Sequence, residues 1–501
     1  MVSETMGAPS FSPYQVSGTF PARWLEAMKP DAPSLPPRSL RANYLSRLEN
    51  IAQSLGVMTP TGTLGVIIPL LIGKSGNATW LVILVILLAY AVILFCITQF
   101  SQRCVSAGSL AEYGRLGLGT WGGVLTGWAY VIAMTFGLAS SAPSSAYYAD
   151  IVIRQVFHLP PDQWRGAIIT SVVVILSWWT AHRDIKLSTK LMLLIETVSV
   201  CIMIAIVGLA MIGSNCWIDQ HQAKLTGTTP NGLQLGLVFG FMAFAGAESV
   251  TTLGEESRNP KRMLPTVLLA CLLPVGILQL VMSYCLVAYA HGHSLALDQL
   301  DAPFDTIATS LHLPFLGVLS SIGVATSYFA CCLGSANAAA RVLYAMANRG
   351  MSWSTLGTVH PKNRTPAPAI AVVSIVGLIS PLVLLAGNFS LIDCINYLTQ
   401  LASFGCIAGY FLVCLAVPFF LHRVGGISLP VVAAVTVSLL VLGFILVFSL
   451  IPIPAPPWSY LPYIFIGMVI VTSLSSAFFI RTHQHKPASI VEPNISAEAD
   501  A

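Results

Sequence analysis

The chain has 501 residues, of which 55% are hydrophobic and only 9% are charged, and its formal net charge is +4. A soluble domain carries about a quarter charged residues, so this composition excludes a soluble globular protein and indicates a polytopic membrane protein. The mean hydropathy of +0.78 agrees with that class. The 11 cysteines lie mostly within apolar segments and lack paired metal-ligand spacing, so we expect no disulfide framework, no metal site and no cofactor.

The two ends of the chain differ from its middle. Residues 1–48 are polar, rich in proline and mildly basic, and they lack the short apolar core of a cleavable signal peptide. We therefore expect residues 1–48 to form a tail on the cytoplasmic side. The polar residues 481–501 predict a second cytoplasmic tail at the other end.

Between these tails the sequence predicts twelve membrane-spanning helices, since a span needs about 20 apolar residues. The third, eighth and tenth apolar segments are longer than a bilayer requires, so we expect these helices to tilt or to project from the membrane. The twelve predicted segments are 50–72, 79–100, 120–149, 164–181, 189–213, 233–253, 265–290, 312–345, 367–387, 392–420, 429–452 and 459–480.

The distribution of lysine and arginine predicts the orientation of these helices. If both termini are cytoplasmic, twenty of the 24 Lys and Arg residues fall on the inner side and four on the outer side. Positively charged loops are typical of the cytoplasmic side of a membrane protein. The asymmetry therefore favours cytoplasmic termini and an even number of spans, and we expect the protein in the plasma (inner) membrane.

Two apolar segments are interrupted by small and helix-breaking residues. Segment 51–72 contains MTPTGT at residues 58–63, and segment 233–254 contains FAGAES at residues 244–249. In lipid every backbone N–H and C=O needs a partner, so a broken helix persists only where it is buried in protein or lines a cavity. Two such breaks at corresponding positions of two half-chains indicate the substrate site of a transporter.

Three sequence motifs resemble those of the amino acid–polyamine–organocation (APC) permeases. Residues 254–265, GEESRNPKRMLP, closely match the signature that follows the sixth span of that family. Residues 106–113, SAGSLAEY, followed by LGLG, are similar to its entry into the third span. Residues 337–347, NAAARVLYAMA, with Gly350 and a later Thr-Pro pair, are similar to its eighth span and the loop after it.

The resemblance implies a LeuT-type fold built from two inverted repeats of five helices. The first repeat would cover residues 49–213 and the second 214–420, with spans 1 and 6 unwound at their centres. Residues 421–480 would form two peripheral helices, spans 11 and 12. The two interrupted segments are what this fold requires.

The first interruption is a candidate site for a carboxylate. Pro60 removes a backbone donor and Gly62 allows unusual backbone geometry. The N-terminus of a half-helix presents free N–H groups and partial positive charge, which suit an anion. The resemblance implies that Thr61, Gly62 and Thr63, beside Thr59, would hold the substrate carboxylate. The family more often has a Gly-Ser-Gly-like stretch here, and the alternative is a proline kink whose threonines bond their own helix.

The second interruption would hold the other end of the substrate. Carbonyl groups exposed by the break could accept hydrogen bonds from an ammonium group, and the resemblance implies an aromatic gate nearby. For Phe241 and Phe244, packing in the core is an equally good interpretation of the sequence. The predicted substrate contacts of this segment are Phe241, Met242, Ala243, Phe244, Ala245 and Gly246.

Two acidic residues within spans are candidates for proton coupling, because ionisable groups in the bilayer are costly and usually functional. Glu248 follows the second break, at a position resembling a glutamate that couples or senses protons in relatives. Glu196 lies in span 5, where some proton-coupled relatives carry a lysine. Either carboxyl could instead make a structural hydrogen bond, and Glu196 could be a cation ligand. A sodium site using Thr326 and Ser327 is a weaker alternative.

These observations predict a secondary active transporter that moves an amino acid by alternating access, with proton symport. Its partners would be a small-molecule substrate, protons and the lipid bilayer. The alternatives are an amino acid or amine exchanger and a permease for a polyamine or ethanolamine-like amine. A non-transporting sensor would call for longer tails, and the sequence has no nucleophile–base pair, phosphate-binding loop or nucleic-acid patch that would indicate an enzyme or a nucleic-acid partner.

Overall fold

The computed structural model describes residues 39–483, apart from 161, 184, 215, 216, 294 and 452–454. Most of the predicted tails, 1–48 and 481–501, lies outside the described residues. Within the described part of the chain, regular structure is helical except for one isolated bridge between Leu45 and Ser257. The prediction of an all-α membrane protein is confirmed.

The helices follow the twelve predicted spans in chain order and are numbered accordingly. Among the described residues, eleven helical stretches are long and apolar enough to cross a membrane, and the first, Arg47–Ser101, contains spans 1 and 2. The bounds are Arg47–Met58 with Ile68–Ser75 (span 1), Thr79–Ser101 (2), Ser109–Phe157 (3), Gln163–Arg183 (4), Ile185–Ser214 (5), Pro230–Gly240 with Ala247–Glu256 (6), Pro260–His293 (7), Pro314–Asn348 (8), Ala367–Ala386 (9), Leu391–Val424 (10), Leu429–Phe448 (11) and Leu461–His483 (12). Shorter helices, Gln220–Ala223 and Pro303–Ser310, lie in the connections before spans 6 and 8.

Gly119 divides span 3 into two helices. The helical stretch Ser109–Phe157 is interrupted at this residue, whose φ of 81° and ψ of −172° are not helical. Glycine reaches this conformation without the penalty of a side chain. The helix that forms the long part of span 3 therefore starts directly after Gly119, at the predicted residue 120, whereas the separate helical segment before it, from Ser109, was not predicted.

Span 3 forms the centre of the bundle, where it packs along spans 8 and 10. The most apolar window of span 3 is 83% buried, against 33% for span 11 and 6% for span 12. Small residues allow the close central packing, since a Cβ on Gly405 of span 10 would lie 2.6 Å from the Ala129 carbonyl oxygen of span 3. Spans 11 and 12 are peripheral, as the resemblance implied.

Span 1 is broken at the predicted position. Its first half ends at Met58, and Thr59 adopts a left-handed conformation with φ 42° and ψ 64°. Pro60 then starts a new helical turn, which is the position where a missing N–H costs least. The chain continues through a π-helical turn, Thr63–Ile67, into the second half of the span.

Span 6 is broken in a different way. After Gly240 a single 3-10 turn, Phe241–Phe244, leads to Ala245 in an extended conformation. Gly246 has φ 99°, a region that favours glycine, and a 3-10 helix, Ala247–Glu256, follows. Spans 1 and 6, the first helix of each predicted repeat, are therefore both interrupted, and the predicted unwinding of these spans is confirmed.

The predicted inner ends of spans 1, 6 and 8 are tied together. The Leu45 N–H donates to the Glu256 carbonyl at 2.8 Å, and the Arg258 N–H donates back to Leu45 at 3.0 Å. The Glu256 side chain pairs with Arg341 of span 8 at 2.6 Å, and both side chains are almost fully buried. The GEESRNP motif thus anchors the segment that precedes span 1.

Candidate substrate and proton site

A carboxylate from span 5 occupies the first break. Glu196 Oε1 accepts a 2.7 Å hydrogen bond from the backbone N–H of Thr61, in the first turn after the break. Glu196 Oε2 accepts a bond from Ser327 Oγ of span 8 at 2.5 Å. Ser327 Oγ lies 2.6 Å from Thr59 Oγ1, so the two hydroxyls form a relay to the carboxyl group. Glu196 therefore lies where the resemblance places the carboxylate of a substrate.

The other groups of the first break are also buried among spans 1 and 8. The Tyr328 hydroxyl donates to the Gly62 carbonyl at 3.2 Å, and Thr63 Oγ1 donates back to the Met58 carbonyl at 3.4 Å. Thr61 Oγ1 lies beside the Glu196 carboxyl but has no well-formed hydrogen bond among the described residues. The break thus combines a bound protein carboxylate with a hydroxyl that is poorly aligned to it.

The second break holds the other buried acid. Glu248 Oε2 accepts hydrogen bonds from the Gly246 N–H, at 3.2 Å, and from the hydroxyl of Tyr410 in span 10. The Ala243 carbonyl, a predicted ammonium acceptor, accepts a 3.1 Å bond from Gln279 of span 7. Gln279 would therefore compete with a substrate ammonium group for the Ala243 carbonyl. The sequence analysis did not identify this residue.

The hydroxyl groups of three tyrosines converge near Glu248. Tyr90 of span 2, Tyr130 of span 3 and Tyr410 of span 10 are fully buried and interact electrostatically with this carboxyl. Glu248 Oε1 and the hydroxyls of Tyr90 and Tyr130 lack well-formed hydrogen bonds among the described residues. The cluster therefore brings three hydroxyl groups to one buried carboxyl group.

The two predicted gate residues lie in the core. Phe241 and Phe244 are fully buried, and their rings lie 5.0 and 5.8 Å from the ring of Tyr90. Met242, by contrast, is only partly buried, and Ala245 is buried at the extended point of the chain. In this conformation the two phenylalanines pack against Tyr90 of span 2. This arrangement corresponds to the packing interpretation.

The two breaks are in direct contact. A Cβ on Gly246 would lie 2.3 Å from Val57 Cγ1 of span 1, and a Cβ on Gly334 of span 8 would lie 2.6 Å from Val57 Cγ2. Glycine at these positions lets spans 1, 6 and 8 approach at the level of the interruptions. The predicted substrate residues of both segments therefore lie in one region of the bundle.

The sequence analysis did not identify several polar residues of this region. Tyr90, Tyr130, Tyr328, Tyr410 and Gln279 carry their polar groups inside long apolar helices, and that was the signal that could have identified them.

The two hydroxyl residues considered for a sodium site have different roles. Thr326 Oγ1 bonds the Ile322 carbonyl of its own helix at 2.8 Å, whereas Ser327 bonds Glu196. Only Ser327 therefore contributes to the region of the first break through its side chain.

Comparison with known proteins agrees with this architecture. A solved structure, MhsT in complex with L-phenylalanine, has a TM-score of 0.54 with 13% sequence identity, and the match covers 88% of this chain and 99% of MhsT. At this identity the similarity establishes the fold, which is of the LeuT type.

Curated relatives are named as transporters. The chain is 24% identical to the vacuolar cationic amino acid transporter 4 of Arabidopsis thaliana, over 67% of this chain and 57% of that protein. It is 23% identical to the methylthioribose transporter of Bacillus subtilis, over 72% and 76% of the two chains. The match thus spans little more than half the length of the Arabidopsis relative.

The family itself is established by a broader match. The sequence pattern of the amino acid permeases matches residues 50–485, which include all twelve predicted spans. The chain therefore belongs to the amino acid permease family.

Proposed function

We propose that this protein is a secondary active transporter that carries an amino acid across the membrane by alternating access. The observation that supports this most strongly is the contact between two interrupted helices in the buried centre of the bundle. Interrupted helices offer backbone donors and acceptors at a depth where lipid offers none. Family membership and the transporter names of the relatives support the same proposal.

The substrate would bridge the two breaks. Its carboxylate would bind the N-terminal turn that contains Thr61, where partial positive charge favours an anion. Its ammonium group would be bound by the carbonyls of the second break, with Met242 and Ala245 on the substrate side. Side chains around the breaks would then select the substrate by the shape of its own side chain.

Transport would be driven by proton symport, with Glu248 and Glu196 as the coupling residues. Both carboxyls are fully buried and are held by hydroxyl and backbone donors rather than by a basic partner among the described residues. Such a carboxyl can exchange a proton when its surroundings change during the transport cycle. The lysine and arginine asymmetry supports cytoplasmic termini, and we place the protein in the plasma (inner) membrane.

The experiment is uptake of labelled L-amino acids and small amines into proteoliposomes, with and without an inward proton gradient. We expect gradient-stimulated uptake of one class of substrate. In Glu248→Gln we expect the stimulation to disappear while exchange from preloaded vesicles continues. The control Asp162→Asn removes a carboxylate from the connection between spans 3 and 4 and should transport like the wild type.

Two results would contradict this proposal. Uptake that depends only on preloaded substrate and ignores the gradient would make the protein an exchanger and leave Glu248 in a structural role. If none of the compounds is taken up, the sensor interpretation replaces transport.

An amine without a carboxylate is the second candidate substrate. It is favoured by the acidic side chains at both breaks, Glu196 and Glu248, which would attract a cation. The uptake experiment separates the two candidates, because a polyamine or ethanolamine would then be transported in preference to every amino acid tested.

A further inference from the structure

The first break is already bound to an anion that the protein supplies. The helical run that starts at Pro60 continues to Ser75 without a gap, so its N-terminus carries the partial charge of a helix of several turns. Glu196 accepts the Thr61 N–H there and a second bond from Ser327. A substrate carboxylate directed to the same N–H would have to displace Glu196.

A second observation points to a ligand at this position. Thr61 is fully buried, and its hydroxyl has no well-formed hydrogen bond among the described residues although it lies next to Glu196. A buried hydroxyl without a well-formed hydrogen bond is uncommon. A substrate carboxylate that replaces Glu196 on the Thr61 N–H could accept from this hydroxyl too, and the break would then satisfy both donors.

We propose that Glu196 and the carboxylate of the substrate compete for the first break, so that an amino acid binds only when Glu196 takes up a proton. This proposal rests on the proposed function and gives Glu196 a specific part in it. Two ionised carboxylates within a few ångströms in a poorly polarisable interior repel each other strongly. One proton from the side on which the substrate enters removes that repulsion, and no other co-reactant is needed.

The hydroxyl relay accommodates both states of Glu196. When Glu196 is ionised, Thr59 donates to Ser327 and Ser327 donates to the carboxylate. When Glu196 is protonated, it can donate to Ser327, which then donates to Thr59. Since a hydroxyl is both a donor and an acceptor, the relay reverses without breaking, and Glu196 can leave the Thr61 N–H while it stays bound to span 8.

The electrostatic surroundings leave Glu196 free to change its charge. Tyr328 and Cys331 of span 8 are the titratable side chains that interact with it among the described residues. In span 8, Arg341 pairs with Glu256, and Arg349 after its end pairs with Glu112. The other charged groups of span 5 and of the elements packed on it lie near helix ends, namely Lys186 and Lys190 of span 5, Arg47 and Glu49 of span 1, Lys261, Arg262, His291 and His293 of span 7, Asp305 of the short helix before span 8, and His182 and Arg183 of span 4. A nearby cation that would keep Glu196 permanently ionised is not found in the described part of the chain.

Proton uptake that accompanies binding tests this proposal. Purified protein in weakly buffered detergent is mixed with each of the twenty standard L-amino acids, and then with the carboxamide of each one that binds. We expect about one proton to be taken up per bound amino acid. Over the pH range in which Glu196 is ionised, the affinity should fall about tenfold for each unit by which the pH rises. The carboxamide has no anion to displace Glu196, so it should bind without proton uptake.

Variants identify the residue responsible. Glu196→Gln should bind the amino acid with an affinity independent of pH and without proton uptake, whereas Asp305→Asn, which removes a partly buried carboxylate outside the spans, should keep both. If Glu196→Gln takes up as many protons as the wild type, or if the carboxamide causes the same uptake as the amino acid, the proposal is overturned. The proposed transport function would not be affected by that result.

Infrared difference spectra of the wild type provide a test that does not depend on a variant that folds. Addition of the amino acid should produce the C=O stretch of a newly protonated carboxyl group, and addition of the carboxamide should not. Spectra without this band for a bound amino acid would overturn the competition at Glu196. If none of the twenty amino acids binds or is transported, both this inference and the proposed function fail, which is a different result from binding without a proton.

Discussion

At the residue scale, each helix break has a carboxyl group from the protein bound to one of its backbone N–H groups. Glu196 is bound to Thr61 in the first break, and Glu248 to Gly246 in the second. The sequence identified both acids, because ionisable residues within apolar spans are rare. It could not identify their partners Ser327 and Tyr410, since these lie 131 and 162 residues away along the chain and only the packing of the helices brings them near.

Outside the spans, Asp219 in the connection between spans 5 and 6 should make the local structure sensitive to acid. Partial burial acts to raise the pKa of this carboxyl, but hydrogen bonds from His291, Gln222 and the His221 N–H outweigh it and hold the pKa below its usual range. A lowered pKa in the folded protein stabilises it above the unfolded value of about 4, and that contribution is lost as the pH falls through the folded value.

Hydrogen exchange of residues 217–226 checks this prediction. We expect protection of this segment to hold down to about pH 4 and to fall below it in the wild type. Asp219→Asn should show weaker protection that does not change with pH over the same range. Protection in the wild type that is already lost near neutral pH would contradict the assignment.

At the element scale, the helices were predictable and their irregularities only partly so. Long apolar runs predicted the twelve spans, and proline and glycine inside two of them predicted the breaks. The start of the third span after Gly119 was predicted, but the helical segment before it, from Ser109, was not, because its charged residues and glycines do not resemble an apolar span. The positions of Phe241 and Phe244 against Tyr90 also depend on contacts between spans 2 and 6 that no local pattern contains.

Gly246 should be intolerant of any side chain. It has φ 99°, and a Cβ would lie 2.3 Å from Val57 Cγ1 and 3.1 Å from the Val57 backbone carbon. We expect Gly246→Ala to destabilise the protein by about 1–3 kcal/mol through overpacking and backbone strain, and to abolish transport by separating the two breaks.

Thermal unfolding in detergent and uptake into proteoliposomes measure these effects. Gly208→Ala is the matched control, because Gly208 lies inside the helix of span 5 with open space around its would-be Cβ. This control should be neutral or slightly stabilising. Full transport by Gly246→Ala would show that the contact between the breaks is not required.

At the scale of the whole molecule, burial increases from the peripheral spans 11 and 12 to span 3 at the centre. The predicted inner ends of spans 1, 6 and 8 are joined by the Leu45 backbone pairing and by the buried pair of Glu256 and Arg341. In an alternating-access cycle these contacts would have to separate when the inner side opens. The same contacts that stabilise this conformation would therefore oppose the opening of the inner side.

The buried pair should be costly to break. Glu256→Ala leaves the Arg341 guanidinium inside the protein with Asn337 as its remaining hydrogen-bond partner among the described residues, and we expect a loss of about 3–5 kcal/mol. Replacement of both residues, Glu256→Leu with Arg341→Met, should restore much of that loss because no charge is then left unpaired.

The midpoint of thermal unfolding in detergent gives the order of the variants. The control Arg165→Ala should change it little, since Asp150 keeps its second partner Arg154. If Glu256→Ala unfolds like the wild type, the pair does not hold the inner ends together.

The account depends most on where the substrate binds. The most direct measurement is a cryo-electron microscopy structure of the protein with the transported amino acid at saturating concentration. We predict density between residues 57–63 and 241–248, with the carboxylate on the Thr61 N–H and Glu196 withdrawn toward Ser327. Density for the amino acid elsewhere, for example in the apolar groove between spans 9, 10 and 12 lined by Leu384 and Leu461, with both breaks unchanged, would contradict it.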